Sequence, residues 1–261
     1  MQFDYIIVGA GSAGCVLANR LSENPNNRVC LLEAGPADNS LFIRIPAGII
    51  LMMRSNARNW RYYTVPQKAL NNRQIYIPRG KTLGGSSAVN AMCYTRGHKW
   101  DYDHWAELGN DEWSYTKVLP YFRKLETDLD IAGDFHGITG PISVTRHKQE
   151  DWLPLQRAFH SACLAAGYRD DPDINGPDAE GVGAIPLNYL DSIRVSTAIG
   201  YINPCRHRLN LTIKPNVTAP RVIFQGKRAV GVSVESGGDM FELSGEMIIM
   251  SAGASASPQL L

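Results

Sequence analysis

Phe3-Asp4-Tyr5-Ile6-Ile7-Val8-Gly9-Ala10-Gly11-Ser12-Ala13-Gly14 is the stretch whose reading decides the fold class. Phe3–Val8 is an apolar run rich in β-branched and aromatic residues that stops at a glycine, the pattern of a buried parallel strand. Ser12–Leu21 then carries Cys15, Val16, Leu17, Ala18 and Leu21 at helix-compatible spacing, and Asn24-Pro25-Asn26-Asn27 ends it as a turn. Arg28–Glu33 reads as a second buried strand, closed by Gly35-Pro36. Strand, helix and strand form a βαβ unit, the start of a doubly wound sheet. Within it, Gly9, Gly11 and Gly14 have the G-x-G-x-x-G spacing of a dinucleotide-binding turn. The first glycine permits the tight turn, the second lets backbone approach a diphosphate, and the third lets helix pack on strand. The helix amino terminus faces the diphosphate, and Glu33 is placed to accept hydrogen bonds from ribose hydroxyls, which argues against a 2′-phosphate. The motif alone does not separate FAD from NAD.

Beyond the first unit the alternation stops. Asp38 to about His147 is rich in proline, glycine and aromatic residues and reads as long loops with short helices, the kind of segment that persists when it wraps a ligand. Trp152–Gly167 has a helical pattern, with Leu155, Phe159, Ala162, Cys163 and Ala166 along one side, and Asp170–Gly183 is turn-rich. Short β-like segments follow at Leu211–Lys214, Ala219–Gln225, Ala229–Glu235 and Glu246–Met250, a meander whose last strand can return to the first sheet.

The 261 residues are 44% hydrophobic and 20% charged, and 26 basic residues stand against 25 acidic ones. That balance contains no block of one sign of the sort that binds nucleic acid. Five scattered cysteines, without a C-x-x-C pair, are read as buried thiols of a reducing compartment, and no metal site is expected. The chain opens directly on a strand rather than a secretory signal. The apolar Ala47–Met53 run is far short of the roughly 20 residues that span a bilayer, although Ile45–Met53 has the character of a lid or membrane-touching segment. The expected location is cytoplasmic, or at most peripheral to the inner membrane.

The second informative stretch is Arg79-Gly80-Lys81-Thr82-Leu83-Gly84-Gly85-Ser86-Ser87-Ala88-Val89-Asn90. Its glycine pair and two hydroxyls form a small, donor-rich surface suited to a flavin edge. With Ala91–Gly97, Asp101-Tyr102-Asp103 and Trp105 it resembles the first signature of the glucose-methanol-choline oxidoreductases. Asn59-Trp60, Pro66-Gln67, His136-Gly137, Arg194 with Ser196-Thr197-Ala198, and Asn216-Val217-Thr218 fall in that family's order, most closely in its choline dehydrogenase-like branch. Ala252–Leu261 resembles the beginning of the second signature.

The resemblance implies an FAD-binding Rossmann-like α/β domain, with a mainly parallel sheet and a β-meander, built from residues 1–150 and 208–261. Residues 151–207 are expected to be part of an α+β substrate domain. It implies oxidation of a primary alcohol, choline-like or other, by hydride transfer to flavin N5, with oxygen or a quinone-type carrier as acceptor. The expected cofactor-binding residues are Gly9, Gly11, Ser12, Ala13, Gly14, Glu33 and Ala34; Trp60 and Arg79; Thr82, Gly84, Gly85, Ser86, Asn90 and Cys93; and Val217 and Ala252. Val89 stands where some members carry the histidine that attaches FAD covalently, so the resemblance implies non-covalent FAD. None of the six histidines matches the family's catalytic position; His98, just after the signature, is the nearest candidate. The catalytic group is therefore expected downstream of Leu261, and the 261-residue chain alone is expected to be inactive. A fatty-acid photodecarboxylase or cyanohydrin lyase on the same scaffold, an NAD-dependent dehydrogenase, and a non-catalytic cofactor-binding fragment remain as alternatives. Adjacent carboxylates such as Asp170-Asp171 are read as solvated turns.

Overall fold

The computed structural model describes residues 2–261. The chain divides into two compact units, Met1–Ala91 with Ile193–Leu261, and Met92–Ser192. In the first, β1 (Gln2–Val8) and β2 (Val29–Leu32) are joined by helix α1 (Ser12–Leu21), the βαβ unit read from the sequence. β1 pairs in parallel with β2, and β2 with β3 (Leu211–Lys214). Successive side chains of β1 and β2 point to opposite faces of the sheet, and Ile6, Ile7, Val29 and Leu31 are completely buried, so both faces are covered and the strands carry continuous apolar runs.

β4 (Thr218–Gln225), β5 (Arg228–Ser236) and β6 (Asp239–Met250) form the antiparallel meander. Its turns contain Gly226, Gly237 and Gly238, all with positive φ. The sheet order is β4-β5-β6-β1-β2-β3. The expected strand Glu246–Met250 is only the second half of β6: residues 239–244 pair antiparallel with β5, and residues 244–250 pair in parallel with β1. Gly245 stands at the change of partner, where a Cβ would come within 2.8 Å of the Ile6 side chain. One strand thus carries the chain from the meander into the parallel sheet.

The unit boundaries lie elsewhere than residues 150 and 208. Residues 193–207 belong with the first unit because they pack on α1: the Asn19 side-chain amide donates to the Tyr201 carbonyl at 2.6 Å, and the Arg20 guanidinium lies 5.8 Å from the Tyr201 ring. The second unit begins at Met92, and its first part holds short helices. Helix α2 (Lys99–Glu107) starts at His98, whose Nδ1 accepts from the Trp100 N–H while the Asp101 carboxylate accepts from the His98 N–H, a reciprocal cap. Helix α3 (Tyr115–Leu125) continues through Pro120. Helix α4 (Pro154–Ala165) lies within the expected span, but its apolar side does not enter a core: Leu155 and Phe159 are 81% and 66% exposed.

His136 is buried, with ring nitrogens within 3.2 Å of carboxylate oxygens of Glu126, Asp128 and Asp173. Asp171 is buried as well, its carboxylate accepting the Asp173 N–H. Cys15, Cys30 and Cys205 are buried as expected, whereas Cys93 is exposed. Among the described residues no helix is long and apolar enough to cross a membrane.

Candidate functional site

Where β1 ends, the chain must turn sharply onto α1. Gly9 makes the turn with φ 101°, and a Cβ there would meet the Ser251 carbonyl oxygen at 2.6 Å; a Cβ on Gly14 would meet the Gly9 carbonyl oxygen at 2.0 Å. Gly11 differs from both. Its φ is −76°, open to any residue, yet a Cβ there meets nothing within 4 Å. The open space beside it is a cavity of about 920 Å³.

Gly9, Gly11, Ser12 and Ala13 line this cavity, as do Glu33, Ala34 and Val217. Trp60, Arg79, Gly85, Ser86 and Ala252 also face it. The first-turn N–H groups of α1 have no acceptors within the helix and carry the positive end of its dipole, a setting for an anion. The Arg79–Asn90 segment lies directly on the glycine turn. The Gly84 N–H donates to the Ala10 carbonyl at 2.8 Å, and Gly85, with φ 53°, approaches so closely that a Cβ would sit 2.6 Å from Gly11 Cα. Ser86 Oγ accepts the Gly80 N–H at 3.2 Å, which folds the segment back on itself.

Five of the expected residues are placed otherwise. Gly14 serves packing; Thr82 is completely buried and its hydroxyl donates to the Pro36 carbonyl at 2.8 Å; Gly84 is buried in a left-handed conformation. Asn90 is exposed and contacts Arg194 rather than the cavity, and Cys93 is part of the second unit. Conversely, the sequence reading missed Tyr62, which stacks on Trp60, and Lys81, whose ammonium lies 4.7 Å from the Trp60 ring centre. It also missed helix α5 (Gly253–Leu260), whose residues line the cavity. A usable signal existed. The β6 strand returns in parallel beside β1, Ser251 N–H donates to the Val8 carbonyl at 2.8 Å, and ligands bind at the carboxyl ends of such strands.

Glu33 is buried, and its two oxygens accept the Ala10 N–H at 3.0 Å and the Gly35 N–H at 2.9 Å, tying the glycine turn to the end of β2. Burial pushes its carboxyl up to about 7; the two backbone donors and the charge of Lys81 oppose this. A raised pKa means that folding favours the neutral form, so this group's contribution to stability is complete below pH 4.5 and is lost as pH rises through about 7. Glu33→Gln, which does not titrate, is expected to flatten the apoprotein's stability profile between those values. Urea midpoints at successive pH values read the effect, and an unchanged slope refutes it.

A βαβ unit whose glycine turn opens on a cavity at the carboxyl ends of parallel strands defines a dinucleotide-binding fold. The chain belongs to the GMC oxidoreductase family, which it matches over residues 3–261. It is 41% identical to the oxygen-dependent choline dehydrogenase of Photobacterium profundum, across 99% of this chain and 46% of that protein. Among solved structures it is similar to pyridoxine 4-oxidase from Mesorbium loti, with a TM-score of 0.93 and 34% identity over 98% of this chain and 50% of the other. An FAD-dependent oxidoreductase from Chaetomium thermophilum aligns with a TM-score of 0.90 and 30% identity, over 99% of this chain and 47% of its own. The chain therefore spans about half the length of the proteins it matches. Family and neighbours together imply a flavin cofactor. The residues present fit such a group: the cavity is at the large end of the roughly 300–1,000 Å³ range of small-molecule sites, and the glycines at its floor leave room for a diphosphate.

Proposed function

We propose that this chain is the cofactor-binding part of an FAD-dependent oxidoreductase that oxidises a primary alcohol, choline-like or other, to an aldehyde. The observation that carries the reading is the open space beside Gly11, framed by the α1 amino terminus and by the Gly85-Ser86 segment. When bound, the flavin supplies a hydride acceptor at N5. The chain's own residues hold and orient it. Gly11, Ser12 and Ala13 take the diphosphate through backbone donors, and Glu33, Ala34 and Val217 take the adenosine end. Arg79, Gly85 and Ser86 take the isoalloxazine end, flanked by Trp60 and Ala252, while Gly9, Gly14, Thr82 and Gly84 shape the backbone beneath.

The base that removes the hydroxyl proton is assigned to residues beyond Leu261, since none of the six histidines lines the cavity. The chain alone is accordingly inactive, and oxygen or a quinone-type carrier is the electron acceptor. Attachment is non-covalent: Val89 offers no nucleophile, and its side chain is buried with Ile43, Met52 and Ala88. The protein works in the cytoplasm or at most at the face of the inner membrane. A peripheral contact of that kind would use exposed Leu41, Ile50 and Leu51 beside Arg44 and Arg54, in a stretch (residues 39–91) without an acidic residue.

Purified full-length protein is expected to be yellow, to release all its flavin to the supernatant on acid precipitation, and to reduce a dye with choline or another primary alcohol. A colourless protein refutes the cofactor, pelleted flavin refutes the mode of attachment, and dye left unreduced by every primary alcohol refutes the reaction.

A further inference from the structure

Arg194 is completely buried, yet none of its hydrogen-bond acceptors is a carboxylate. Buried cations are ordinarily paired with an anion, because leaving water without one is costly. Its Nε donates to the Ile43 carbonyl at 2.9 Å, and Nη1 donates to both oxygens of Asn90, the backbone carbonyl at 2.6 Å and Oδ1 at 2.8 Å. Nη2 has no hydrogen-bond partner among the described residues. Every carbonyl it reaches belongs to the first unit, and two of the three belong to one residue of the cofactor segment.

The contact is part of a repeating pattern. Ala198 Cβ lies 3.3 Å from where a Cβ on Gly84 would sit, the Thr197 N–H donates to Ser87 Oγ at 3.0 Å, and Arg194 holds Asn90. Residues 194–198 therefore grip residues 84–90 at every third position. A guanidinium has only donors, so it can engage only the oxygen end of the Asn90 carboxamide. That settles which way the amide faces: oxygen toward Arg194, NH2 away from it.

We propose that Arg194 is a positioning residue for the cofactor segment, anchoring the end of that segment through the Asn90 carboxamide. The inference rests on the reading that Gly85 and Ser86, within the segment that Arg194 anchors, hold the isoalloxazine. Lysine cannot replace it, because a single ammonium lacks the planar fork that serves Ile43 and Asn90 together.

The test uses full-length apoprotein titrated with FAD, reading flavin fluorescence and the visible absorption band, with thermal unfolding of the apoprotein measured alongside. Arg194→Lys is expected to weaken FAD binding about tenfold and to shift the band. Asn90→Ala, which leaves Arg194 in place, is expected to shift the band in the same way, and adding Arg194→Lys to it should change affinity less than about twofold, since the group through which Arg194 acts is gone. Wild-type affinity and band in Arg194→Lys overturn the proposal, even if the apoprotein melts earlier. Should Arg194→Lys fail to fold, an unshifted band in Asn90→Ala overturns it. Wild-type protein that takes up no FAD overturns the underlying cofactor reading, and this inference with it.

Discussion

Gly11→Val in the full-length protein is expected to weaken FAD binding about a hundredfold while costing the apoprotein only about 1 kcal/mol. The two effects separate because of where Gly11 sits. Its backbone is compatible with any side chain, and no atom beyond its chain neighbours and its own helix backbone lies within 4 Å of where its Cβ would sit. The valine methyls therefore enter the cavity and occupy the path proposed for the diphosphate, leaving the packing of α1 on the sheet intact. Gly14→Ala is the instructive contrast. Its Cβ would sit 2.0 Å from the Gly9 carbonyl oxygen, so helix and turn must separate, and stability should fall by about 3 kcal/mol together with binding. Urea unfolding of the apoproteins beside a fluorescence titration with FAD distinguishes the pair. Wild-type affinity in Gly11→Val would remove the cofactor from this cavity.

His136→Ala is expected to destabilise the protein by about 3 to 5 kcal/mol, the cost of breaking a buried ion network from within. Nδ1 lies 3.1 Å from Glu126 and 3.2 Å from Asp128, and Nε2 lies 2.8 Å from Asp173. Arg96 reaches Glu126 at 2.6 Å, and Arg146 reaches both Asp128 oxygens at 2.9 Å, so three cations balance three carboxylates. Glu126, Asp128 and His136 are also close enough to share a metal ion, but with the two arginines the charge is already balanced, which makes the cluster a structural ion network.

The hydrogen bond to Asp128, followed by those to Asp173 and Glu126, raises the His136 pKa to about 11. Burial pushes Glu126, Asp128 and Asp173 upward, but the bonds from His136, with help from the arginines, hold all three below their usual range. The signs follow. The histidine's contribution is complete below pH 6.5 and is lost as pH rises toward about 11; the carboxylates' contribution is complete above pH 4.5 and is lost on acidification. Wild-type stability should therefore decline on both sides of the interval from 4.5 to 6.5, and His136→Ala should lose the alkaline limb. Thermal unfolding across pH reads this directly, and a variant as stable as wild type would show the network to be dispensable.

Much of the cofactor half was legible before any coordinates because its determinants are local. Phe3–Val8, the three glycines and Glu33 lie within about thirty residues and report strand, turn, helix and strand by periodicity and residue type alone. The same locality explains the meander, whose turns carry Gly226 and Gly237-Gly238. Short helices were expected between Asp38 and His147, but α2 and α3 could not be placed there because the α2 cap is a histidine rather than serine or threonine and because Pro120 falls inside α3. The boundary at residue 193 escaped because it depends on what Arg194 and Tyr201 touch.

By itself, then, the sequence determined the βαβ unit, the glycine turn, the family and the absence of a nucleophile at Val89, since each depends on residue type at short spacing. Only the tertiary structure decided that β6 serves two sheet partners, that α5 closes on the cavity, that Thr82 and Gly84 build the floor rather than face it, and that His136 is buried among three carboxylates. The physical reason is the same in each case. These contacts join residues far apart in the chain, and burial and hydrogen-bond partners are properties of the assembled fold, with no counterpart in local periodicity.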